Sequence, residues 1–405
     1  MTSLALTDAS TVNVAPPFAA ALLNRWLGEW TAGRVNIRLP AGQVMTFGAG
    51  AEPEVTVTIK NLRAFWRVAT SGTVGWAESY MAGEWECDDL STFLLIASKN
   101  LATLAARGGE GTVIARFFHR VMHRTRANTR SGSRRNIAAH YDLGNQFYAQ
   151  WLDPSMTYSS AVFAHPGEPL VEAQARKYRR LCEQLKLQPG DHVLEVGCGW
   201  GGFAEVAARD YGCRVTAVTV SEQQAAFARE RMQREGLGGR VEIRLQDYRD
   251  LQGRFDAIAS VEMFEAVGEE NWPTYFAALH RGLAPGRRAA IQTITIADEN
   301  FEGYRRAADF IQRYIFPGGM LPSPSIFRAH ARQAHFTLED EFLFGRDYAE
   351  TLRRWADAFN RAWPAIAELG FDARFKRMWN YYLSYCEAGF DAGHIDVAQI
   401  VLVRD

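Results

Sequence analysis

The sequence predicts an α/β fold: a mostly parallel, doubly wound sheet with helices on both faces, preceded by a smaller N-terminal α+β domain. Beyond residue 185, short apolar runs alternate with helical stretches, the order that a parallel sheet with crossover helices produces. A glycine-rich turn at 197–202 follows the first of those runs, as a strand-to-helix ligand loop would. The chain has 405 residues, more than one hydrophobic core usually organises, so a second domain is expected.

Taken in order, residues 35–39 and 55–59 alternate apolar and polar side chains and read as strands, with Pro40-Ala41-Gly42 as turn chemistry between them. Helical spacing follows through Leu90, Phe93, Leu94 and Ile96, and the small domain is expected to span 1–105. A linker at 106–136 comes next. Within it Val113, Ile114, Phe117, Phe118, Val121 and Met122 fall at helical spacing, with Arg116, His119, Arg120, His123 and Arg124 between them. This basic amphipathic helix either packs on its own protein or rests on a membrane surface, and the spacing does not separate the two. Ser131-Gly132-Ser133-Arg134-Arg135 reads as a flexible joint, and the catalytic domain is expected at 137–405.

Composition excludes a disordered chain, with 47% hydrophobic and 22% charged residues. Five cysteines without paired spacing argue against a disulfide framework or a metal knuckle and fit a reducing cytosol. Neither a signal peptide nor a membrane-spanning apolar run is read, so any lipid is met from the surface.

The expected strands of the large domain are 192–196, 214–220, 241–245, 257–261 and 289–293. Ligands in such sheets sit at the carboxyl ends of the strands, near the point where strand order reverses. The loop Gly197-Cys198-Gly199-Trp200-Gly201-Gly202 stands there. By itself it also fits a nicotinamide enzyme, but such an enzyme wants an acid at the end of the second strand, and that position is Thr219. Glu195 precedes the glycines inside the strand, which favours a methyl-donor site.

Several separate motifs then carry a resemblance: Gly75-Trp76-Ala77-Glu78-Ser79-Tyr80-Met81, His140-Tyr141-Asp142-Leu143-Gly144-Asn145, Leu152-Asp153-Pro154, Tyr158-Ser159, the loop 194–202, Gln246-Asp247-Tyr248-Arg249-Asp250-Leu251, Met263-Phe264-Glu265 and Tyr314-Ile315-Phe316-Pro317. Asp347-Tyr348 and Tyr381-Tyr382-Leu383 extend it, so that it covers about residues 75 to 403. On these motifs the chain resembles the cyclopropane fatty acid synthase family, including its branch that makes methyl-branched or furan fatty acids. The resemblance implies a class I methyltransferase with a Rossmann-like sheet and S-adenosylmethionine as methyl donor. It implies that Tyr141, Tyr158 and Ser159 close over the donor, that Gly197 and Gly199 line it beside Glu195, that Thr219 and Gln224 meet its ribose, and that Asp247 and Tyr248 flank its adenine.

The same resemblance implies methyl transfer to the double bond of an unsaturated fatty acyl chain of membrane phospholipid, through a carbocation. An isolated alkene is a weak nucleophile and needs a dry slot, and the cation needs aromatic faces and a base. Phe301, Tyr304, Phe310, Tyr314 and Phe316 suit such a sleeve, or serve as core. In the family the base is a bicarbonate held by a cysteine, a glutamate, a histidine and a tyrosine; the matching positions here are Ser160, Glu265, Gln292 and Tyr348. Glutamine cannot carry histidine's charge, which puts bicarbonate in doubt. Glu262 and Glu265 together are expected to help or replace that base, Glu262 alternatively capping a helix. Cys386 lies in a matching motif and is carried as a further catalytic position.

A methyl-branched unsaturated, or methylene, fatty acid is the expected product, with cyclopropane closure as the alternative. A small-molecule oxygen or nitrogen methyltransferase and a non-catalytic lipid-binding protein on a decayed fold are the other readings. The expected setting is the cytoplasmic, inner face of a membrane, peripherally bound, without nucleic acid, with a homodimer left open.

Overall fold

The computed structural model describes residues 17–28, 30–50, 52–100, 143–306 and 309–405. Chain contacts divide it into two compact units, Met1–Thr112 and Val113–Asp405. The limits expected at 105 and 136, and the basic helix between them, lie outside the described residues.

The first unit contains α1 (Pro17–Leu27), β1 (Arg34–Arg38), β2 (Val44–Phe47), β3 (Glu54–Ile59), α2 (Arg63–Met81), β4 (Trp85–Cys87) and α3 (Leu90–Lys99). Its sheet runs β2-β1-β3-β4, with β1 and β3 parallel and the outer pairs antiparallel. Alternation does what period-two patterning predicts: Val35, Ile37, Val55, Val57 and Ile59 are buried, and the residues between them are more exposed. Trp85 is fully buried against Trp76, their rings 4.4 Å apart. Both expected strands of this domain are present; β2 and β4 add two that the sequence reading left out.

Among the described residues the second unit holds α4 (Asn145–Ala149) and α5 (Leu170–Gln184), then alternates β5 (His192–Val196), α6 (Gly202–Asp210), β6 (Arg214–Thr219), α7 (Glu222–Arg234), β7 (Val241–Leu245), β8 (Phe255–Val261), α8 (Trp272–Gly282) and β9 (Leu283–Ile296). An insertion carrying α9 (Asp298–Arg306) and α10 (Phe310–Tyr314) leads to α11 (Pro324–Gln333), β10 (Phe336–Leu343), α12 (Gly345–Glu368), α13 (Ala373–Asp391) and β11 (Ile395–Arg404). Strand order is β10-β11-β9-β8-β5-β6-β7. Strands β7, β6, β5, β8 and β9 are mutually parallel, and β11 is antiparallel to β9 and β10. This is the expected α/β sheet, with all five expected strands in place.

Apolar clusters cover both faces. Phe203, Ala207, Ala217 and Met232 lie in one, and Leu194, Val196, Ile258, Phe264, Trp272 and Phe276 in the other. Burying each large side chain contributes roughly 1.5–3 kcal/mol, so the sheet is a rigid platform. Order reverses between β5 and β8, which places the crevice where the β5, β6 and β8 carboxyl ends meet.

Candidate active site

A cleft open to solvent, with a cavity volume of about 140 Å³, occupies that crevice. Tyr158, Ser159, Glu195, Gly197, Gly199, Thr219, Gln224, Asp247 and Tyr248 all line it. Tyr141 lies outside the described residues. The β5 loop turns on Gly197 at φ 82° and Gly199 at φ 51°, left-handed backbone that glycine adopts without strain. The amides of Gly197 and Cys198 both donate to the carbonyl of Val218 at 3.0 Å, which seats the loop on β6. Trp200, missed from the sequence, donates its indole N–H to Asn145 at 2.8 Å and also lines the cleft.

The polar groups are fixed before any ligand arrives. Thr219 donates to Gln224 Oε1 at 2.9 Å, joining the end of β6 to the first turn of α7. Asp247 receives Nε and Nη2 of Arg249 at 2.8 and 2.6 Å. Tyr158 and Tyr382 join their hydroxyls at 2.7 Å. Glu195 is buried at the end of β5; the Ala204 amide binds its carboxyl, and burial raises it from the ordinary range to about 8. Its Oε2 has no hydrogen-bond partner among the described residues. A buried acceptor left open in a cleft wall fits a cationic ligand, and S-adenosylmethionine carries both a sulfonium and an ammonium. The residues present therefore fit that donor.

Glu262 follows β8 in left-handed backbone, φ 47°, rare for a residue with a side chain. Its N–H donates to the Gln292 carbonyl at 2.8 Å, so it stays registered on β9 while its carboxylate crosses to other elements. Oε1 accepts from the Ser160 amide and from Gln292 Nε2, both at 2.8 Å, and Oε2 accepts from the Tyr348 hydroxyl at 2.6 Å. The bonds are long-range, which sets aside the helix-capping alternative. Glu262 lines the cleft, and burial raises its pKa against the opposing pull of Tyr348, Lys177, Ser160 and Gln292.

Three of the four positions that match the bicarbonate site thus hold a carboxylate of the chain itself. The fourth, Glu265, accepts from the Ile294 amide at 2.6 Å and the Thr293 hydroxyl at 3.1 Å. Burial, with the Glu262 charge behind it, raises Glu265 to about 8. A bicarbonate at this place would find Ser160, Gln292 and Tyr348 already donating to the Glu262 carboxylate; the residues do not fit it. Ser160 contributes its amide, while its hydroxyl turns away to the Ala161 carbonyl at 3.0 Å. Gln292 is held in turn by Gln399, whose Nε2 donates to Gln292 Oε1 at 3.1 Å. Cys386 is on α13 and is not part of the cleft lining; burial pushes its thiol up, so it stays protonated.

The buried acids set a pH dependence. Glu195 and Glu265 are raised from 4.5 to about 8, so their protonated forms favour the fold. Their contribution is complete below about 4.5 and is lost as pH rises through 8. Thermal unfolding of the ligand-free protein should fall between pH 5 and 8.5, and Glu265→Gln should flatten the slope. A profile unchanged by that substitution would contradict the assignment.

The expected aromatic sleeve divides. Phe301 and Tyr304 pack into the core around Trp272 and Phe276. Phe310 instead meets Tyr381 at 4.8 Å, and Phe316 meets Tyr382 at 6.2 Å, while Tyr348 stacks on Phe390 at 4.6 Å. Tyr158 and Tyr382 link this wall to the cleft.

The family model for mycolic acid cyclopropane synthetase matches residues 128–400. The chain belongs to that family. It is 39% identical over 403 residues to tuberculostearic acid methyltransferase UfaA1 of Mycobacterium tuberculosis, covering 96% of this chain and 92% of that one. It is 41% identical over 353 residues to cyclopropane-fatty-acyl-phospholipid synthase of Escherichia coli K12, covering 86% of this chain and 87% of that one. Among solved structures, mycolic acid cyclopropane synthase CmaA1 complexed with SAH and CTAB matches at 31% identity and TM-score 0.63, over 66% of this chain and 97% of that chain. As a cyclopropane synthetase family member with this cleft, the chain is an S-adenosylmethionine-dependent methyltransferase.

Proposed function

We propose that the enzyme methylates the double bond of an unsaturated fatty acyl chain in membrane phospholipid and releases a methyl-branched chain that is still unsaturated, or a methylene chain, with Glu262 as the base. The observation that carries this reading is the Glu262 carboxylate, bound by Ser160, Gln292 and Tyr348 at the edge of the cleft. S-adenosylmethionine, when bound, supplies a methyl group activated on a sulfonium. In this reading Tyr158, Ser159, Gly197, Gly199, Thr219, Gln224, Asp247 and Tyr248 hold it, and Glu195 faces its positive charge.

Attack by the alkene leaves a cation on the acyl chain, and the position of the base decides which proton leaves. Loss from a neighbouring chain carbon gives the branched alkene; loss from the added methyl closes a ring, or gives a methylene once a hydride has shifted from the methyl-bearing carbon to the cation. A carboxylate anchored through the backbone at Glu262 has less reach than a separate anion, which supports the chain carbon. The 41% identity to a cyclopropane-forming synthase favours ring closure as the second reading. A decayed, non-catalytic fold is disfavoured because the described cleft positions keep Tyr158, Ser159, Glu195, Gly197, Gly199, Thr219, Gln224, Asp247 and Tyr248 together. The enzyme should be incubated with labelled methyl donor and vesicles of monounsaturated phospholipid. The product should carry one labelled carbon at a branch and take up hydrogen on catalytic reduction; a reduction-resistant ring overturns the branched reading.

Peripheral membrane contact at the cytoplasmic face belongs to the same proposal. No helix among the described residues is long and apolar enough to cross a membrane. Trp66 is 68% exposed and Leu62 42%, beside exposed Arg63 at the start of α2. An exposed tryptophan next to a cation suits a headgroup boundary. Trp66→Ala should weaken co-sedimentation with anionic vesicles by about tenfold, the loss of roughly 1–1.5 kcal/mol of buried aromatic surface. Unchanged sedimentation would remove Trp66 from the contact.

A further inference from the structure

Lys177 takes no part in the chemistry above, yet its place is unusual. It stands on α5 between Ala173 and Leu181, on the stripe that faces the interior, and it is fully buried. Among the described residues no carboxylate lies within ion-pair distance of it. Its ammonium donates to the Ser159 hydroxyl at 2.6 Å and sits 4.1 Å from the centre of the Tyr178 ring. Burial draws the ammonium down to about 7, while Glu262, Asp153 and Glu195 at longer range pull the other way. An ammonium buried without an ion pair is costly, so a compensating partner is expected.

The hydroxyl of Ser159 indicates where that partner binds. It has one proton and two lone pairs; Lys177 occupies a lone pair, and the proton has no acceptor among the described residues. Ser159 lines the cleft. Among the described residues lining the cleft the one cation is Arg249, and its Nε and Nη2 are engaged by Asp247. The methyl donor brings a carboxylate as well as its positive groups, and Glu195 answers only the positive groups.

We propose that Lys177 is a positioning residue which, acting through the Ser159 hydroxyl, holds the carboxylate of the donor's amino-acid moiety. The ammonium polarises the hydroxyl, and the hydroxyl donates its proton to the carboxylate as a charge-assisted hydrogen bond. The inference rests on the donor-binding reading of the cleft.

Calorimetry with two probes tests it: S-adenosylhomocysteine, and its decarboxylated analogue, which keeps the amine. Lys177→Met should weaken S-adenosylhomocysteine about 10- to 100-fold and leave the analogue unchanged. Ser159→Ala should show the same selectivity, and it carries the test if Lys177→Met fails to fold. Equal losses for both probes, or no loss for either, would overturn the proposal. Failure of the unsubstituted enzyme to bind S-adenosylhomocysteine would instead overturn the reading of the cleft.

Discussion

Glu262→Gln should retain donor binding and lose turnover. The substitution keeps the size of the side chain and removes the group that accepts a proton. A positioned general base contributes about 10²- to 10⁴-fold, and methylation of vesicle phospholipid should fall by that amount while S-adenosylhomocysteine affinity stays within about threefold. The geometry makes the loss specific. The Ser160 amide and Gln292 share one carboxyl oxygen and the Tyr348 hydroxyl holds the other, so an amide can keep its oxygen toward the first two and donate to the tyrosine oxygen, which holds the side chain in place without a proton acceptor. Initial rates with labelled donor measure it, and wild-type turnover would remove Glu262 as the base.

The second large effect is in the donor loop. Gly197 has φ 82°, and a Cβ built on it would lie 2.5 Å from Met263 Cγ and 2.7 Å from Met263 Cβ. The Met263 side chain swings at Cγ, but its Cβ moves only with the backbone between β8 and Glu265. Gly197→Ala therefore pushes the loop off the Val218 carbonyl, and with a left-handed alanine costs about 2–3 kcal/mol. Donor affinity should fall roughly 30- to 150-fold by calorimetry. Met263→Ala added to it should recover only the part due to Cγ, a coupling that a double-mutant cycle isolates. Wild-type affinity in Gly197→Ala would show that the loop does not need this close approach.

What could be read from the sequence was what local pattern specifies. The five parallel strands are short apolar runs bounded by turns, and the loop that seats the donor is six consecutive positions. Strands β10 and β11 escaped, since Phe336–Leu343 alternates weakly with charge and β11 enters the sheet antiparallel after two long helices. The acid at 262 was visible, but its role depends on one left-handed residue reaching Ser160, Gln292 and Tyr348, which are 102, 30 and 86 positions away. Aromatic composition could not tell Phe301 and Tyr304, in the core, from Phe310 and Phe316, on the tyrosines of α13. Lys177 drew no reading from the sequence, although Ala173, Lys177 and Leu181 share a period-four stripe that sequence spacing alone exposes.

In the proposed mechanism the Glu262 carboxylate takes the place of a bound bicarbonate. Turnover should be compared in buffer freed of carbon dioxide and in buffer supplemented with bicarbonate. Equal rates are predicted, because Ser160, Gln292 and Tyr348 are already engaged by Glu262. A rate that collapses without bicarbonate and returns on its addition would contradict it.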